Sequence, residues 1–69
     1  MEKRKYNRIK AVLAEKGVLQ QDLATHLNTG EVSVSRWCNN LAQPSIEVFF
    51  KIAEFLNVSV CDLFIEDKK

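Results

Sequence analysis

The sequence predicts an all-α fold, a bundle of five short helices. Three observations carry this. Apolar residues recur at three- and four-residue spacing through successive windows, and no strand or hairpin signal competes. Gly17, Asn28 and Asn57 stand just past such windows, where a left-handed residue ends a helix at little cost. One proline and two glycines in 69 residues leave no composition for disorder.

The elements follow in order. The first helix is expected from about Arg4 to Lys16, with Tyr6, Ile9, Val12 and Leu13 on one stripe and Gly17 as its stop. The second runs from Gln20 to Leu27 and turns Leu23, Ala24 and Leu27 inward. Asn28 to Gly30 form a tight turn. Thr29 or Gly30 can cap the third helix, and Glu31 in its first turn complements the helix dipole. That helix reaches Cys38 and ends at Asn39 and Asn40. Leu41–Pro44 connects to a fourth helix opened by Pro44 and Ser45, where Ile46, Phe49, Ile52, Ala53 and Leu56 recur as the largest block of core. Asn57 ends it, Val58 turns inward, Ser59 can cap, and Val60 to Phe64 make a last turn or two. The tail from Ile65 to Lys69 is expected to fray.

Size and composition narrow the function classes. A chain of 69 residues makes one small domain near the lower limit for folding without staples, and its 46% hydrophobic content suffices for a core. No stretch is long and apolar enough to span a membrane, and the first ten residues have no apolar run before a cleavage site. The expectation is a cytoplasmic protein whose Cys38 and Cys61 stay reduced. Net charge is only +1, but it is unevenly placed. Residues 1–16 hold six basic groups against Glu2 and Glu15, whereas residues 44–69 hold three against five acidic ones. Such a bipolar chain would turn its N-terminal end to a phosphate backbone and its acidic end away.

The segment Gln20–Trp37, QQDLATHLNTGEVSVSRW, concentrates the chemistry. Ala24 lets two helices approach closely, Asn28 supplies the left-handed turn, and Val34 and Trp37 pin one face of the third helix inward. This is the geometry of a helix-turn-helix, whose second helix enters the DNA major groove. Together with NRIKAVLAEKG and PSIEVFFKIAEFLNVSVCDLF, the segment resembles the Cro/repressor-type, lambda-repressor-like (Xre-type) family over Asn7–Phe64. The resemblance implies a five-helix DNA-binding bundle, dimeric on short pseudo-palindromic operators, acting as a small transcriptional repressor.

It also assigns residues. Glu31, Val32, Ser33, Ser35 and Arg36 fall where the family contacts bases: Arg with guanine, Glu with the cytosine amino group, Val with a thymine methyl. Gln20 matches a family glutamine that bonds a phosphate. Asn39, Asn40 and Gln43, in the loop after the third helix, would anchor the sugar-phosphate chain, and Arg4 and Lys5 in a basic arm (1–5) would add charge. One module offers too few contacts for specific affinity, so a homodimer is expected. Phe50, Phe64 and Ile65 are the candidate interface, with Leu63 turned inward. Three positions depart from the family pattern: Leu19 and Gly30 replace capping Ser or Thr, and Cys38 stands where Glu is common.

Other classes fit less well. Asp22, His26 and Cys38 include the residue types of a thiol hydrolase, but Asp22 and His26 share one helix turn and Cys38 lies elsewhere. His26, Cys38 and Cys61 lack the paired spacing of a zinc site. No catalytic residue, metal, cofactor or small-molecule substrate is expected. The rival that remains is an interaction or antitoxin/controller-type module on the same fold, with weak or partner-dependent DNA binding.

Overall fold

The computed structural model describes residues 5–65. Four α-helices follow in order: α1 (Ile9–Lys16), α2 (Gln20–Leu27), α3 (Glu31–Cys38) and α4 (Ile46–Leu56), then a 3-10 turn over Val60–Leu63. Helices of eight residues are too short to persist alone in water, so packing holds them. Ile9, Leu23, Val34, Ile52 and Leu63 have no exposed surface, and Phe49 and Leu56 close the same core. Val18, Leu27, Trp37, Val48, Phe55 and Val58 pack around it, half-buried.

One device ends all four helices. Gly17, Asn28, Asn40 and Asn57 adopt left-handed backbone, with φ of 69°, 56°, 57° and 58°. The next amide in each case reaches back to the helix: Val18 to the Leu13 carbonyl, Thr29 to Ala24, Leu41 to Arg36 and Val58 to Ala53, at 2.8–3.0 Å. These bonds satisfy carbonyls that a helix end otherwise leaves open. Three asparagines do the work usually left to glycine, because a short amide side chain tolerates positive φ.

The structure corrects the expected boundaries at both ends. There are four α-helices, not five; Val60–Leu63 closes only a 3-10 turn. Four residues fix too few hydrogen bonds to propagate an α-helix. The first helix starts at Ile9 rather than near Arg4. Residues before it run extended against the chain's other end: Arg8 N–H donates to the Leu63 carbonyl at 2.9 Å, and Ile65 N–H to the Tyr6 carbonyl at 3.1 Å. Asn7 and Phe64 form the antiparallel bridge between them. Tyr6 therefore lies outside the core, 53% exposed, and Ile65 is tied down rather than frayed. Ile46 also leaves the core, at 66% exposed, as the first residue of α4, one turn before the buried Phe49. Arg4 and the chain beyond Ile65 lie outside the described residues.

Candidate nucleic-acid interface

α2 and α3 fold around the turn at Asn28, with Ala24 and Leu23 of α2 and Val34 of α3 all buried. Burying Val34 and Cys38 leaves Val32, Ser35, Arg36 and Asn39 on an outward stripe at positions i, i+3, i+4 and i+7. Val32 is 72% exposed and Arg36 is exposed; Ser35 and the flanking Ser33 are half-buried. Asn39 Nδ2 approaches Ser35 Oγ at 3.4 Å along the same stripe. Glu31 stands exposed in the first turn of α3. Among the described residues neither Glu31 nor Arg36 joins an ion pair; the pair that forms is Arg8 with Glu15, at 3.0 Å.

The starts of these two helices are open. Leu19 precedes α2 and Gly30 precedes α3, both in extended backbone, and neither offers a side-chain cap. Their first amides keep donor capacity and the positive end of the helix dipole, a combination suited to an anion. Gln20 sits half-buried in the first turn of α2.

The loop after α3 is held by a network that the sequence did not reveal. Asn40 Oδ1 accepts from the backbone N–H of Tyr6 (2.9 Å) and Asn7 (3.1 Å) and from Gln43 Nε2 (3.2 Å). Asn40 Nδ2 returns a bond to the Asn7 carbonyl at 3.1 Å. Asn7 is buried, and its Nδ2 donates to the Trp37 carbonyl (3.1 Å) and to Gln43 Oε1 (2.7 Å). Its Oδ1 accepts from Ile9 N–H at 3.0 Å, which starts α1. The Asn40 and Gln43 side chains are thus engaged in bonds within the protein, although Gln43 is exposed, while among the described residues the Asn39 side chain bonds only along its own stripe. Asn7 is the residue missed. Its one local signal was an asparagine two positions before a helix, the spacing of a turn that caps an amide.

The remaining candidates are dispersed. Lys5, Phe50, Phe64 and Ile65 are exposed, and the Phe64 ring rests 4.6 Å from that of Phe49. Cys38 and Cys61 are free; burial pushes the Cys38 thiol above its ordinary pKa, and the nearby Lys10 charge draws it part of the way back. His26 stacks on Phe55 with ring centroids 4.2 Å apart. Among the described residues no group of three His, Cys, Asp or Glu side chains could hold a metal ion, and no helix is long and apolar enough to cross a membrane.

Known proteins match this arrangement. The helix-turn-helix family model covers residues 9–63. A solved structure from Bacteroides fragilis, described as that of a candidate DNA-binding protein, is similar at 46% identity. The match covers 86% of this chain and 95% of that one, with a TM-score of 0.85. Among curated proteins none matches. With the family model spanning α1 through the 3-10 turn, the chain belongs to the lambda-repressor-like (Xre-type) helix-turn-helix family.

Proposed function

We propose that this protein binds double-stranded DNA sequence-specifically, as a small dimeric transcriptional repressor in a prokaryotic cytoplasm. The observation that carries the reading is the outward stripe of α3, where Val32, Ser35, Arg36 and Asn39 align on a helix fixed from behind by Val34 and Cys38. A helix so presented fits the major groove. Arg36 would donate two bonds to guanine, Val32 would meet a thymine methyl, and Glu31, Ser33 and Ser35 would contact neighbouring base edges. The uncapped start of α2 with Gln20, together with Asn39 and Lys5, would hold phosphates. Asn40 and Gln43 would serve by fixing the loop backbone against the sugar-phosphate chain, since their side chains are occupied. The similar Bacteroides fragilis protein, described as a candidate DNA-binding protein, supports the DNA-binding part of this reading.

A second reading has one observation in its favour. From Gly17 to Gln43 the chain carries a single basic residue, Arg36, against Asp22 and Glu31. A helix-turn-helix with an acidic excess would suit an interaction or antitoxin/controller-type module that meets DNA through a partner. Selection from random duplexes separates the two. Enrichment of an inverted repeat, with Arg36→Ala losing roughly 1–3 kcal/mol on that repeat and much less on random DNA, is the expected result. No enrichment, or equal loss on both DNAs, would leave the interaction module standing.

A further inference from the structure

We infer that a cleft between α1 and the end of α3 is a second phosphate site, one that takes the DNA backbone beside the helix-turn-helix with Lys10 as its principal cation. This rests on the DNA-binding reading above and answers a difficulty in it. The helix-turn-helix segment has an acidic excess, so the attraction that drives a protein onto a polyanion must come from elsewhere.

The cleft supplies it. It measures about 430 Å³ and is lined by Lys5, Arg8 and Lys10, by Ala11 and Ala14, and by Asn39. Asn39 belongs to the outward stripe of α3, so a duplex lying on that stripe passes the mouth of the cleft. No acidic side chain among the described residues lines it. Arg8 is already committed, to Glu15 at 3.0 Å and to the Asp62 carbonyl at 2.9 Å. Lys5 and Lys10 make no ion pair among the described residues. The field of Lys10 also reaches the recognition helix, where it opposes the upward shift of the Cys38 thiol. Ala11 and Ala14 are short enough to let a sugar-phosphate chain come close, and the volume exceeds what a bare phosphate needs.

The site predicts a salt signature. Binding of a labelled duplex would be titrated between roughly 50 and 200 mM KCl for the full chain and for Lys10→Gln, Ala14→Glu and Lys16→Gln. Lys10→Gln should make the slope of log affinity against log salt shallower by about 0.9, the value of one lost phosphate contact, on any sequence. Ala14→Glu, which puts an acid into the cleft, should weaken binding at least as much. Lys16, outside the cleft on the same helix, should leave the slope unchanged when replaced by Gln. An unchanged slope for Lys10→Gln while the parent protein binds normally would overturn the site, as would an equal change for Lys16→Gln, which would mark diffuse charge. Loss of inorganic-phosphate binding in Lys10→Gln, followed by amide chemical shifts, without any change on DNA would assign the cleft to a free anion instead. Failure of the parent protein to bind duplex at low salt would remove the DNA-binding reading itself, and this site with it.

Discussion

Asn40 combines two properties that no other residue type supplies together. Its backbone takes the left-handed conformation that ends α3, and its side chain both accepts and donates across 33 or more residues to the extended segment before α1. Asn40→Gly keeps the backbone conformation while removing the network, leaving the Tyr6 and Asn7 amides without their acceptor. The expected cost is about 1–3 kcal/mol, seen as a lower urea midpoint with unchanged m-value. An unchanged midpoint would mean that water replaces Asn40 without loss. Arg36 and Val32 could be placed from the sequence because helical periodicity alone sets which face they occupy. Asn28 and Asn57 could be placed because an asparagine after an apolar window carries a local signal. The engagement of the Asn40 and Gln43 side chains could not be placed, since their partners are Asn7, the Tyr6 amide and each other, and no short-range pattern encodes that pairing.

At the scale of elements, the helix starts divide into two kinds. Ser45 accepts from Val48 N–H at 3.2 Å to cap α4. Ser59 and Asp62 cap the 3-10 turn reciprocally, each accepting a backbone bond at 3.2 Å. Leu19 and Gly30 leave α2 and α3 uncapped, and these are the helices assigned to DNA. Leu19→Ser would place a cap three residues before Asp22, repeating the Ser59–Asp62 arrangement. Leu19 is mostly exposed, so little packing is lost. The variant should gain about 1 kcal/mol, raising the melting temperature by roughly 4–8 °C. Its occupied amides should then bind duplex more weakly than the parent's. No rise in melting temperature would show that the α2 amides already have an equivalent partner. Helix ends were legible wherever Gly or Asn closed an apolar window. The start of α1 was not, because Tyr6 and Ile9 keep helical spacing while the extended form of that stretch is selected by residues 63–65, far along the chain.

For the whole molecule, charge and apolar surface point in different directions. Basic groups gather toward the N-terminal sixteen residues, and from α4 onward the large exposed apolar side chains among the described residues are Ile46, Phe50, Phe64 and Ile65. Ile46 and Phe50 lie one helical turn apart on α4, and Phe64 is held beside α4 by its ring contact with Phe49. A two-fold contact through this surface would double the base contacts of a module that by itself buries only about 600–1,000 Å² on DNA. Phe50 is the residue on which to test it, because it is 54% exposed and Phe64 is the ring that packs on the core residue Phe49. Phe50→Lys should leave the helical spectrum and melting temperature close to the parent's while shifting sedimentation toward monomer. Affinity for an inverted repeat should then fall toward that for a single half-site, and half-site affinity should hold, since the change adds no negative charge near DNA. Unaltered sedimentation with unaltered operator affinity would move the interface off α4. Loss of half-site binding would instead place Phe50 within the fold that supports α3.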